Sequence, residues 1–293
     1  MNKKNDVVIW AIDPFEDGLK PSESSLKILR DRNVLAVAIS TADHEIKKPQ
    51  LDRYLKNADF TPQGDPEVLI ASSHRREDFI RKLVLYALDH QASCIALTSR
   101  SLKGLDRLIN GSFAEKLLDA SPLPVLFLTD KGFNQTGKAF FSTDFSEQSE
   151  VAFRNFIQFC KGHVKEIILF YVEHPSVAVI TASAIGGVPV IAPNEIFEIS
   201  EIDKKIMDKW VQKYSSPGLA IKISPLIKDA TTSITKEVLK AWEQENVEIL
   251  GIATSKTAWQ RTLYGSVARD VFMNKKSPVW IWGVAGNESL LSP

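Results

Sequence analysis

Cysteine is scarce here: of 293 residues, only Cys94 and Cys160 carry thiols. They form no CxxC pair, and a four-ligand site would need each of them to meet the other's neighbouring histidine. His90 precedes Cys94 and His163 follows Cys160, but these pairs lie far apart in the chain. His44, His74 and His174 stand singly, so no metal site is expected. Two reduced thiols suit an intracellular, cytoplasmic protein. Net charge is absent too, with Lys+Arg and Asp+Glu at 36 each. That balance exerts no general pull toward nucleic acid or an anionic membrane. Arg75-Arg76 and Lys275-Lys276 are short clusters, not a basic stripe interleaved with aromatics, so no nucleic-acid partner is expected.

Long hydrophobic runs are missing with one exception. The opening "MNKKNDVVIWAID" is too short in its apolar part for a signal-peptide core and lacks a small-residue cleavage site. The exception is Pro175–Pro193, "PSVAVITASAIGGVPVIAP", nineteen residues without a charge. Length alone would suit a membrane span. Tandem glycines, the internal Pro189, several Ser/Thr and missing basic flanks argue instead for a loop or lid with an apolar face. Ile180, Ile185, Gly186, Gly187 and Val188 are the candidate lid residues. A loop packed on its own helix or on the other half of the chain is the simpler alternative. Catalytic signatures are also lacking: there is no GxSxG elbow, no HxGH-like motif and no Walker lysine, so no catalysis is expected.

What is present is alternation. Hydrophobic residues make up 44% of the chain, enough for two domains of roughly 100–150 residues. Short apolar, β-branched runs alternate with amphipathic helical patterns, the signature of a parallel sheet covered on both faces. Strands are predicted at Asp6–Asp13, Val34–Ser40, Glu67–Ser73, Cys94–Arg100 and Pro124–Asp130. Helices are predicted at Glu23–Arg32, around Leu51–Ala58, at Arg76–Gln91 and at Phe113–Ser121. After a Gly-rich polar linker the series restarts. Strands at Ala139–Asp144, Glu166–Val172, Leu219–Ile227, Val247–Ser255 and Pro278–Gly283 alternate with helices at Ser146–Cys160, Glu195–Tyr214, Ser233–Asn246 and Ser266–Asn274. Residues repeat as well as elements. Ser22-Glu23-x-Ser25 is echoed by Ser146-Glu147-x-Ser149, and Asp13 by Asp144. "GSFAEKLLDASPLPVLFL" aligns with "GSVARDVFMNKKSPVWIW" without a gap. A duplicated α/β domain follows, with boundaries at 1–130 and 138–293 and a linker at 131–137.

The sequence resembles the universal stress protein family, with two family domains in tandem. The resemblance rests on "STDFSEQSEVAF", on the paired "GS(F/V)A" helix starts, and on the terminal strands "SPLPVLFL" and "KKSPVWIW". It implies a doubly wound, five-stranded parallel sheet of order 3-2-1-4-5 in each domain. It also implies pairing of the last strands, Pro124–Asp130 with Pro278–Gly283, as an internal pseudo-dimer; a bare edge strand needs a partner in any case. A non-enzymatic role in stress response, through unidentified protein partners or a small ligand, is expected, with homodimerisation a further option.

An open parallel sheet places ligands at the carboxyl ends of its strands, where the strand order reverses. The candidates there are Asp13, Thr98, Ser101, Gly111 and Ser112 in the first copy, and Asp144, Ser255, Gly265 and Ser266 in the second. Gly-Ser at a helix start can hold an anion on exposed N–H groups, or Ser can simply cap the helix. Nucleotide-binding relatives carry Gly-x-x-Gly ahead of the Gly-Ser or Gly-Thr, so that the backbone can curl around phosphate. Counting back from Gly111 gives Ser101 and Thr98; counting back from Gly265 gives Ser255 and Ile252. With all four glycines replaced, capping is the preferred role and no cofactor is expected. ATP or AMP binding with slow hydrolysis is the alternative.

Overall fold

The computed structural model describes residues 6–13, 20–40, 45–71, 75–99, 113–173, 201–227, 234–254 and 277–283. Ten strands are described: β1 (Val7–Ala11), β2 (Asn33–Ser40), β3 (Glu67–Ile70), β4 (Cys94–Ser99), β5 (Val125–Thr129), β6 (Lys138–Ser142), β7 (Glu166–Glu173), β8 (Ala220–Ile227), β9 (Ile249–Thr254) and β10 (Val279–Gly283). The described helices are α1 (Glu23–Arg30), α2 (Lys48–Asn57), α3 (Arg76–Asp89), α4 (Phe113–Ala120), α5 (Glu147–Cys160), α6 (Glu201–Tyr214) and α7 (Ile234–Glu245).

Local chemistry accounts for the helix starts. Ser22 and Ser146 are extended N-cap residues, and each Oγ accepts the N–H of the residue three places on, Ser25 at 3.2 Å and Ser149 at 3.1 Å. Each cap satisfies one of the orphan donors of its helix. Glu23, Glu147 and Glu150 lie in first turns, where the helix dipole favours an anion. Helix α2 begins with Pro49 in its first turn, where the missing N–H costs no helical bond.

All strands join one sheet in the order β3-β2-β1-β4-β5-β10-β9-β6-β7-β8. Every described pairing is parallel except β5 with β10, where Val279, Trp280 and Ile281 run antiparallel to Phe127, Leu126 and Val125. Strand alternation sends successive side chains to opposite faces. Val8, Trp10, Ala139 and Phe141 pack beneath Leu29, Leu55, Phe153, Phe156 and Trp210, from α1, α2, α5 and α6. Ile9, Phe140 and Leu250 pack on the other face with Leu83, Leu117, Val238 and Trp242, from α3, α4 and α7. Both cores run without interruption from the first half of the chain into the second, and covering both faces suits strands that are apolar throughout.

The halves also meet outside the sheet. Within the first half, Ser25 Oγ donates to Thr129 O at 2.8 Å, and Ser24 Oγ donates to Phe133 O at 2.9 Å, which lays the linker along α1; two other contacts cross between the halves. The Trp282 indole N–H reaches Pro122 O at 2.9 Å. Arg32, fully buried just beyond α1, donates to the Phe159 carbonyl of α5, and its guanidinium carbon lies 3.8 Å from the Phe159 ring centroid. Among the described residues no helix is long and apolar enough to cross a membrane; the uncharged stretch Pro175–Pro193 lies outside them.

Candidate functional site

The order of the sheet reverses between β1 and β4, and again between β6 and β9. These are the positions at which open α/β sheets hold ligands. At the first, β1 and β4 pair through Trp10↔Ala96 and Ala11↔Leu97. Trp10 is fully buried, and its indole N–H donates to Thr98 Oγ1 at 3.2 Å. Its ring meets Phe60 edge-on at 5.1 Å and Tyr54 at 6.1 Å. Thr98 therefore ties the end of β4 to the core under β1. The chain leaving β1 stays on the sheet for one more residue, with Ile12 N–H on Val37 O at 2.8 Å, and then exposes Asp13.

The second crevice follows the same plan. Thr143 N–H bonds Phe170 O at 3.0 Å, as Ile12 does with Val37, and the next residue is the exposed Asp144. The Asp144 carboxylate turns back on the helix that follows. Its Oδ1 accepts the Ser146 N–H at 3.0 Å and also the Ser149 hydroxyl. Desolvation pushes the Asp144 pKa up, but the bonds from Ser149 and Ser146 push harder, and the carboxyl lies below its ordinary value. Asp144 is thus an anion held by the start of α5.

Beside it lies an aromatic wall that sequence reasoning missed. Phe145 has a left-handed backbone, φ 55°, held by its N–H on Thr143 Oγ1 at 2.9 Å. A left-handed conformation is unfavourable for a bulky residue. Its ring packs at 5.0 Å on Trp210 and 5.3 Å on Tyr171, and Trp210 stacks on Phe153 at 5.4 Å. Glu150 closes the group, accepting from Lys213 Nζ and Tyr214 Oη at 2.6 Å each; the Lys213 bond and then the Tyr214 bond depress its pKa. The i, i+4 spacing of Trp210 and Tyr214 was the signal that could have revealed this wall.

Strand register changes one equivalence drawn from counting. Ala11 pairs with Leu97, while its counterpart Ser142 pairs with Ile252. Leu97 therefore corresponds to Ile252, and both join the same core face. Thr98 corresponds to Ala253, one place beyond the residue found by counting back from Gly265. The two loops between the fourth strand and the Gly-Ser thus differ in length by one residue.

Asp13, Thr98 and Asp144 are the described members of the candidate set, each at the carboxyl end of its strand. Ser101, Gly111, Ser112, Ser255, Gly265 and Ser266 lie outside the described residues, as do Ile180, Ile185, Gly186, Gly187 and Val188. Among the described residues no group of three or more His, Cys, Asp or Glu side chains is arranged to hold a metal. Cys94 and Cys160 are buried thiols in the same core layer. Burial pushes Cys94 up to about 12 and raises Cys160 as well.

Residues 25–128 match the model of the universal stress protein family. No curated protein matches the sequence. Among solved structures, a universal stress protein from Archaeoglobus fulgidus superposes with a TM-score of 0.61 at 13% identity, over 96% of this chain and 100% of its own. A protein of unknown function from Pseudomonas aeruginosa PAO1 gives 0.56 at 13% identity, over 98% and 95%. A putative universal stress protein from Pseudomonas aeruginosa UCBPP-PA14 gives 0.56 at 12% identity, over 96% and 94%. At these identities the likeness is one of fold.

Proposed function

We propose, from the match of residues 25–128 to the model of the universal stress protein family, that the chain is a tandem stress-response protein of that family. Residues 1–130 and 138–293 are its two family-like domains, joined as an internal pseudo-dimer through β5 and β10. The repeated serine caps at Ser22 and Ser146 and the matching strand ends at Ile12 and Thr143 support the second domain. The protein acts in the cytoplasm by binding a partner or a small ligand, without catalysis.

One observation carries the preference for a degenerate nucleotide site: a polar side chain at each crevice, Thr98 in the first and Asp144 in the second, is engaged inside the fold. Thr98 Oγ1 takes the Trp10 indole N–H, and Asp144 Oδ1 accepts the Ser146 N–H and the Ser149 hydroxyl. The replaced glycines act in the same direction, since a Cβ obstructs close approach of phosphate. The test is to denature the purified full-length protein and identify what it releases by mass spectrometry. Absence of stoichiometric nucleotide, together with no heat of ATP binding by calorimetry, is the expected result. ATP or AMP released at near-stoichiometric amounts would overturn this reading in favour of a nucleotide-binding stress protein.

A further inference from the structure

The contact between α1 and α5 holds a charged group in an unusual setting. Arg32 is enclosed completely, and its Nε donates to Ile28 O at 2.9 Å. One terminal nitrogen bonds Asp6, and the other bonds the carbonyl of Phe159 in the opposite half. Asp6 is fixed in turn by the Ser93 hydroxyl at 2.7 Å. His163 sits in the turn after α5, its N–H on Cys160 O at 3.0 Å and its Nδ1 3.9 Å from Asp31 Oδ2. His163 is largely enclosed whereas Asp31 is mostly in water.

We propose that this junction is an acid-sensitive latch between the two halves, with His163 as the proton acceptor and Arg32 as the charge it opposes. The inference is independent of any ligand in the crevices. The charged groups facing His163 are Arg32 and Asp31 from the end of α1 and Asp6 from ahead of β1; Lys161 and Lys165 flank it in sequence on the exposed side. A proton on His163 adds a second cation beside a guanidinium that is already enclosed. Asp31 offers only a screened, solvent-exposed counter-charge.

The direction follows from linkage. Burial, and then Arg32, hold His163 below its ordinary 6.5, and Asp31 and Asp6 restore only part of that. The neutral ring therefore belongs to the closed junction. As pH falls through 6.5, an opened junction takes up the proton first, and closure weakens until the lowered pKa is passed.

Hydrogen–deuterium exchange on the full chain tests this at pH 7.5 and 5.5, with rates corrected for intrinsic exchange chemistry. Amides of 28–32 and 156–164 should open more readily at the lower pH, by up to about tenfold per pH unit, the limit for uptake of one proton. Those of 83–87 in α3 should not respond. His163→Gln should flatten the response in both junction segments. Asp31→Asn, which removes the compensating carboxylate, should enlarge it and covers the case in which H163Q fails to fold. The latch is overturned if H163Q keeps the wild-type pH response, or if D31N leaves it unchanged or smaller.

Discussion

Trp10 and Thr98 are joined across the first sheet reversal by a 3.2 Å hydrogen bond from a fully buried indole to a partly buried hydroxyl. A hydroxyl at the tip of β4 thus serves the core as an acceptor. Thr98→Val keeps the shape of the side chain but leaves the indole N–H without its partner. Urea denaturation should show a loss of about 1–3 kcal/mol, the cost of an unsatisfied buried donor. Thr98→Ser should retain most of the stability. A valine variant of wild-type stability, with the loss confined to the serine variant, would show that the methyl contact, not the hydrogen bond, holds the strand end.

Gly251 corresponds by register to Ala96, yet only one of them has room for a methyl group. A Cβ on Gly251 would lie 2.6 Å from Phe141 Cδ2 and 2.8 Å from the ring of Phe156. The aromatic side chains of β6 and α5 have taken the space above β9. Gly251→Ala should destabilise the protein by about 1–3 kcal/mol through overpacking, measured by thermal or chemical unfolding. Adding Phe141→Leu should recover part of that loss, so the two substitutions should be strongly non-additive.

Arg32 reaches its acceptors in a fixed fork, and that geometry predicts how substitution will fail. Arg32→Lys keeps the charge but cannot serve Asp6, Ile28 O and Phe159 O together. Both Arg32→Lys and Arg32→Met should lower stability by about 1–3 kcal/mol, because the Phe159 carbonyl loses its donor inside the junction. The loss should change little between low and high salt, since enclosed pairs are poorly screened. A lysine variant of wild-type stability would show that the charge alone suffices.

The same examples separate what was legible in the sequence from what was not. Helix starts were legible because Ser22 and Ser146 act through bonds to residues three places away, and the strands because their apolar runs are buried on both faces. The exchange of glycine for alanine between Gly251 and Ala96 was not, because it depends on rings that arrive from two other elements. Arg32 closes the predicted helix Glu23–Arg32, and its enclosure was not legible there, because only the packing of α1 on α5 buries it. Counting back from Gly-Ser misplaced Thr98 against Ile252 by one residue, because a gapless alignment of the later segment does not constrain the loop before it. Asp13 and Asp144 follow β1 and β6, which end two residues earlier at Ala11 and Ser142, and whether such a carboxylate faces a ligand or a helix start depends on the turn that follows.

For Asp144 that turn makes a titration the direct test. Its carboxyl lies below the ordinary 3.8 because the bonds from Ser149 and Ser146 outweigh desolvation. A depressed carboxyl contributes stability that is present above 3.8 and is lost as pH falls through the folded value. Ser149→Ala removes the hydroxyl donor and leaves the desolvation in place. The Asp144 midpoint, followed by carboxyl carbon NMR, should therefore move upward in S149A, and the acid limb of the unfolding profile should begin at higher pH. In Asp144→Asn the contribution should vanish from that limb, while the Ser146 cap of α5 remains. An Asp144 midpoint that S149A leaves in place would mean that the carboxylate is held low by something other than the Ser149 hydroxyl.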